Sequence, residues 1–554
     1  MRGQVHPALM PMRAIFSQRM AIGLLTVAGL TLAPTASALR SQMAAHAAND
    51  SGTLVMVTDG SAGTLDPAAD EQAASNNIQR NIYEPLAAAR STNLNVLTPV
   101  LATSWTTNAD KSVWTFHLRH GVKFHTGREM TAKDVQYSIA RTVIANLAGS
   151  YVFRRFMPDS PYNHIKIIDN YTIQFHFSQP QPFFLDATTS EYTSEIVDSV
   201  EVQKHYSHND YGSTWLTTHD VGTGPYMLQS WQHGQQETLV KFPQYWGGWA
   251  SPHFSTIIVK EVPDGATRRE LLERGQADLT FDLPWQDNLA LQGEGNLGIK
   301  VIPSRTFEVD YIQMTEAGPL ASPLARQALS YAFNYNAMLK AGWGGFARRA
   351  YGPLPSLLLG YDPNVFKYQT DLNKARQLLQ QAGVKPGTTL SLYIYNAPAY
   401  WPLAGAILKA QLQQIGLTVN IVALNPAAFT TVYYKTEPPV KHPNLLGFAW
   451  WSDYNEPWDM SDPLIDSASA GAAGANSGYY KNATVDSLLH ASLTADTQTL
   501  VANFKKIQNI TSQVDPPAIW IGEPEQVNVM RKNIQGFVPS AVAIQTYLFY
   551  QLHR

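Results

Sequence analysis

The chain has 554 residues, 40 of them Lys or Arg against 43 Asp or Glu, with 45% hydrophobic and 11% aromatic residues. That length suits two to four domains with sizeable cores, and the net charge of −3 lacks the basic surplus of a nucleic-acid binder. Cysteine is absent, which excludes disulfides, thiol catalysis, cysteine-type zinc sites, iron–sulfur clusters and a lipid-acylated cysteine anchor.

Arg13 and Arg19 precede an apolar run from Met20 to Leu32, and Ala36-Ser37-Ala38 offers a small-x-small cleavage site. Residues 1–38 therefore read as an export signal, with cleavage as late as Ala47 as the alternative. The run is too short to span a bilayer comfortably, so the mature chain is expected to be soluble and exported. Thr53–Thr58 reads as a strand and Asp59–Gly63 as a turn. A helix is expected from about Ser75 to Tyr83, ended by Glu84-Pro85 because the residue before proline is pushed out of helical geometry. The glycine-rich turn has neither Gly-Lys-Ser/Thr nor Gly-x-Gly-x-x-Gly beside it, which argues against a nucleotide role. Val113–Arg119 alternates as a strand, and Thr131 with Asp134 marks a capped helix start. His117, His120 and His125 fall across strand and turn instead of on one helix face, which speaks against a zinc site.

Farther along, Arg326–Asn334 and Asp371–Gly383 have helical periodicity, the second with a glycine stop. Leu390–Tyr395 reads as a strand, Ala404–Ile415 as a helix and Thr418–Val422 as a strand, an alternation that argues for α/β layers. Leu445–Ala449 reads as a short buried strand, and Asn455-Glu456-Pro457 is expected to end regular structure. Between them, Trp450, Trp451 and Tyr454, with Trp458 beyond, surround one carboxylate, Asp453. Either an organic ammonium answers that charge inside aromatic walls, or the stretch is the edge of a Trp-rich core with a solvated aspartate. Glu456 and Asp459 read as solvated or capping. Residues 467–478, rich in Ala, Gly and Ser, read as a flexible surface loop. Val485–Leu493 and Thr497–Val514 read as helices, and Ala518–Ile521 as a returning strand.

Several of these stretches carry one family pattern. Thr64-Leu65-Asp66-Pro67, Tyr83-Glu84-Pro85-Leu86, Trp114-Thr115-Phe116-x-Leu118-Arg119-x-Gly121-Val122-Lys123-Phe124-His125 and Thr131-Ala132-x-Asp134-Val135 resemble the extracytoplasmic solute-binding proteins, family 5, of peptide, oligopeptide and nickel ABC importers. Gly222-Thr223-Gly224-Pro225-Tyr226 and Gly275-Gln276-Ala277-Asp278 are similar to later motifs of the same family. Asn334-Tyr335-Asn336 departs from it, with an expected effect on helix capping. The resemblance covers about residues 52 to 554.

The resemblance implies a two-lobed periplasmic-binding-protein-like type II α/β fold with an additional domain. Lobe I would comprise 52–80, 213–308 and 518–554, the additional domain 81–212, and lobe II 309–517. Hinge crossings would lie near Ser304–Gln313 and Asp515–Ile521. Trp451-Ser452-Asp453-Tyr454-Asn455-Glu456-Pro457 looks like the peptide-binding members' motif. It implies that Asp453 binds the ligand's α-ammonium, with Trp450, Trp451 and Tyr454 in the ligand site. The implied function is capture of di- to oligopeptides in the periplasm by hinge closure, for delivery to an inner-membrane ABC permease with its ATPase subunits. No cofactor or metal is implied. Alternatives are another amine-bearing solute (an opine or glutathione-like molecule), a sugar stacked on the tryptophans, or a nickel chelate. An exported hydrolase is the outside alternative, but Gly-x-Ser-x-Gly and His-Glu-x-x-His are both absent and no enzymatic activity is expected.

Overall fold

The structure, a computed structural model, describes residues 52–554 except 70–72, 90–95, 191, 251, 282, 296, 472–473 and 543–544. The expected export signal and both candidate cleavage sites lie outside the described residues. Among the described residues no helix is long and apolar enough to cross a membrane.

Apolar alternation builds a twelve-stranded mixed sheet. In one half, Thr418–Leu424, Thr389–Tyr395, Leu445–Trp450 and Val309–Met314 lie side by side. The other half holds Leu279–Phe281, Thr53–Thr58, Thr256–Glu261, Gln236–Lys241 and Tyr226–Gln232. Parallel pairs need helical crossovers, and the helix Tyr400–Gln414 supplies one between Thr389–Tyr395 and Thr418–Leu424. That helix starts four residues before the expected Ala404. Pro402 falls in its first turn, where a missing N–H costs little.

The strand Ala518–Arg531 joins the halves. Its early part pairs with Val309–Met314, up to Asp310 opposite Gly522, and its later part with Ile299–Arg305, beginning with Arg305 opposite Glu525. Sequence pattern exposes only Ala518–Ile521 of it, because Gly522 and Pro524 break the alternation where the strand changes partners. Glycine is required there, since a Cβ at Gly522 would come within 2.8 Å of the Trp343 ring.

A separate four-stranded antiparallel sheet, Ala102–Thr107, Val113–Leu118, Thr172–His176 and Ile165–Asp169, carries the helix Ala132–Ile144. Trp114, Phe116 and Leu118 point inward to a core with Ile173, Phe175 and Phe184. The capping box forms as the sequence indicates, with Asp134 answering the Thr131 backbone. Asp66 anchors this helix through a bidentate pair with Arg141 at 2.9 and 2.6 Å. Burial alone would raise the Asp66 carboxyl, but Arg141 outweighs it and holds it below the usual range.

The described part of 467–478 is not a loose surface loop. Asn476 and Ser477 are buried, and Asn476 Nδ2 donates to the Asp466 and Tyr480 carbonyls at 2.9 Å. Small residues here permit close backbone approach instead of disorder. A Cβ on Gly478 would come within 2.7 Å of the Met314 carbonyl oxygen.

Candidate functional site

The strand Leu445–Trp450 delivers the tryptophan motif to its end. The helix Pro457–Ile465 then begins at once with Pro457 in its first turn. Proline thus starts a helix here where the sequence suggested that it ends structure, since its fixed φ suits that position. Asp459, in the same turn, reaches back to the bend. One of its oxygens accepts from Ser452 Oγ at 2.9 Å and from the Asp453 backbone N–H at 2.8 Å. Glu456 and Asp459 are therefore buried structural groups, not solvated ones.

Asp453 is 7% exposed, and the Tyr151 hydroxyl donates to its Oδ2 at 2.5 Å. Tyr151 belongs to the short helix Ser150–Arg154. One residue beyond that helix, Arg155 donates to Glu456 Oε2 at 3.0 Å. Tyr454 is buried in the same core as Phe153 and Phe156. The motif bend is thereby seated on the segment that carries the four-stranded sheet. Trp450 is half-buried among Phe429, Phe448 and Trp458 in a core of the other segment, and its indole Nε1 is buried with no acceptor among the described residues. Trp451 is 36% exposed.

The aromatic walls enclose a different charge from the expected one. The Arg155 guanidinium lies 4.5 Å from the Trp458 ring centre, 4.4 Å from Phe156 and 5.7 Å from Tyr454. Glu456 is its counter-ion. Burial pushes the Glu456 carboxyl up to about 7 even though Arg155 opposes the rise. Tyr151 and Arg155 escaped sequence reading because no local pattern links them to residues some 300 positions away.

A second feature is a cavity of about 750 Å³ between the halves of the large sheet. Asp59, Arg268 and Trp285 line it from one half and Trp343 and Tyr400 from the other, with Glu308 at the crossing. Trp450, Trp451, Asp453 and Tyr454 are not among its lining residues. Glu308, just before the strand Val309–Met314, and Asp310 within it have side chains that interact. Asp310 is 1% exposed, while Glu308 is deeply enclosed yet keeps part of its surface open to the cavity. Burial raises both carboxyls above their usual range, and Glu308 raises Asp310 further. Acids at alternate positions in Phe307-Glu308-Val309-Asp310-Tyr311 were the legible signal for this pair.

The family model for bacterial extracellular solute-binding proteins, family 5 Middle, matches residues 96–472. The chain belongs to this family. Among curated relatives of this solute-binding protein is the probable D,D-dipeptide-binding periplasmic protein DdpA of Escherichia coli, 28% identical over 508 residues, covering 91% of this chain and 94% of the relative. Another is di/tripeptide-binding protein 2 of Pseudomonas aeruginosa, 26% identical, covering 84% and 88%. The periplasmic binding protein DppA of Helicobacter pylori, solved with the peptide STSA, superposes with a TM-score of 0.78 at 24% identity, covering 93% of this chain and 99% of that one. The chain therefore has the two-lobed type II periplasmic-binding fold, as the motifs implied.

Proposed function

We propose that this solute-binding protein captures di- to oligopeptides in the periplasm and hands them to an inner-membrane ABC permease. The relatives' names support a peptide ligand, and the absence of cysteine supports a soluble form without a lipid anchor. The chain acts by binding and not by catalysis. We assign 81–212 as an additional domain and put the hinge where Ala518–Arg531 changes partners, between Gly522 and Glu525. This shifts the expected crossing at Asp515–Ile521 and the expected lobe boundary at 518 a few residues along the chain, because Ala518–Gly522 still pairs with Val309–Met314. Solute bound between the lobes stabilises the closed form through contacts that the open form lacks.

The observation that carries this reading is Asp453, a nearly buried carboxylate where the motif bend meets Tyr151. A ligand ammonium there forms a charge-assisted contact in a poorly solvated site, stronger than a neutral hydroxyl provides. Trp451 is the motif tryptophan exposed to cover such a ligand, with Trp450 and Tyr454 supporting the bend.

The test is thermal stabilisation of protein refolded to strip carried-over ligand. The panel holds di- to pentapeptides, their N-acetylated forms, glutathione, sugars and nickel with histidine. Free-amine peptides should stabilise the protein and their acetylated forms should not. Asp453→Ala should weaken peptide binding by about 2–5 kcal/mol, roughly thirty- to several-thousand-fold. Stabilisation by sugars or nickel–histidine alone would overturn the peptide reading.

A further inference from the structure

Two features of the cavity are unexplained by the fold. Asp310 is 1% exposed, and neither of its oxygens reaches normal hydrogen-bond geometry. Its polar neighbours are Glu308 and the Tyr400 hydroxyl, both on the cavity wall, and no basic side chain among the described residues contributes to its electrostatic surroundings. Trp343, on the same wall and 6% exposed, has an indole N–H with no acceptor among the described residues. Arg268, a basic group on the cavity wall, donates to the Val262 and Pro263 carbonyls. Glu308, in contact with the buried Asp310, and Trp343 with its N–H lacking an acceptor among the described residues thus line a space large enough for a small solute.

We propose that Glu308 and Asp310 form the seat for a positively charged side chain, ammonium or guanidinium, of the captured peptide. A buried carboxylate is expensive without a counter-charge, and an incoming cation supplies it in a low dielectric. Trp343 and Tyr400, whose ring centres are 5.5 Å apart, offer aromatic faces to the same cation, and the Trp343 N–H offers a donor to a peptide carbonyl. The strand register brings this seat near the motif. Asp310 is paired with Ala449, four residues before Asp453, which is no more than roughly 14 Å of fully extended chain. A peptide with its amino end at Asp453 can therefore extend a lysine or arginine side chain toward the pair.

This inference rests on the peptide reading, and the experiment separates the two. Calorimetric affinities would be measured for Ala-Lys-Ala and Ala-Arg-Ala against Ala-norleucine-Ala and Ala-citrulline-Ala. The basic peptides should bind at least tenfold more tightly. Glu308→Gln and Asp310→Asn should each bring that ratio toward one while changing norleucine-peptide affinity less than about threefold. Two variants guard against one of them misfolding, and circular dichroism checks both. Equal affinities for the basic and neutral peptides would overturn the basic-side-chain seat while leaving peptide capture intact. Failure of every peptide to bind a protein that a sugar or nickel–histidine stabilises would overturn both. Stabilisation by Ca²⁺ or Ni²⁺ alone, without preference for basic peptides, would also count against the seat.

Discussion

The motif bend and the acid pair lie near the same end of two neighbouring strands, yet their carboxylates are treated in opposite ways. At the bend each acid has a partner supplied by the fold: Arg155 for Glu456, Ser452 and a backbone N–H for Asp459, and the Tyr151 hydroxyl for Asp453. At the start of the strand Val309–Met314, Glu308 and Asp310 have chiefly each other, with a tyrosine beside them. Removing a partner from the first region leaves a charge stranded. Neutralising an acid in the second removes the repulsion between two buried like charges.

The sharpest way to break this contrast is Arg155→Ala. Glu456, buried beside Asp459, loses its counter-ion, and the seat of the bend against Tyr454, Phe156 and Trp458 loses its centre. Stability in urea should fall by about 3–5 kcal/mol. A loss below 1 kcal/mol would mean that the bend is not held by this pair.

Asp310→Asn should act with the opposite sign. A carboxyl whose pKa is raised in the folded state stays protonated there at a pH where the unfolded chain has released the proton. Its contribution is fully present below the unfolded value of about 4 and is lost as pH rises through the raised folded value. The ligand-free wild type should therefore lose stability between pH 5 and pH 8. Asp310→Asn should be more stable than wild type at pH 8 by about 1–3 kcal/mol and should titrate less steeply, because Glu308 then lacks its charged neighbour. Thermal melts across that range would measure both, and a variant less stable than wild type at pH 8 would contradict the comparison.

The fold was largely legible because its signals are local. Alternation in Val113–Leu118, the capping box at Thr131 and Asp134, and the strand–helix–strand run from Thr389 to Leu424 each depend on residues within a few positions. The site was legible only in part. Asp453, Trp450, Trp451 and Tyr454 could be proposed as ligand residues from the motif, but their neighbours Tyr151 and Arg155 could not, because their meeting with the bend depends on packing between distant segments. Composition misled where tertiary contact overrides it. Small residues at 467–478 suggested looseness, yet Asn476 and Ser477 are buried, and Gly522 and Pro524 hid the continuation of the strand beyond Ile521.

The smallest expected effect calibrates the others. Asn334, where the sequence departs from the family pattern, caps the helix Tyr335–Trp343 by accepting the Ala337 N–H at 3.0 Å. Asn334→Ala removes that acceptor while leaving every charge at the bend and the crossing in place. It should cost about 1 kcal/mol, with no change in the slope of stability against pH between 5 and 8. The helix ends at Trp343, which lines the cavity, so peptide affinity also tests whether a frayed first turn is felt two turns away. Affinity within twofold of wild type would show that the cap serves stability alone. A larger loss, with the pH slope unchanged, would mean that the Trp343 wall depends on this helix start, and changes at the acid pair would then have to be compared at equal stability.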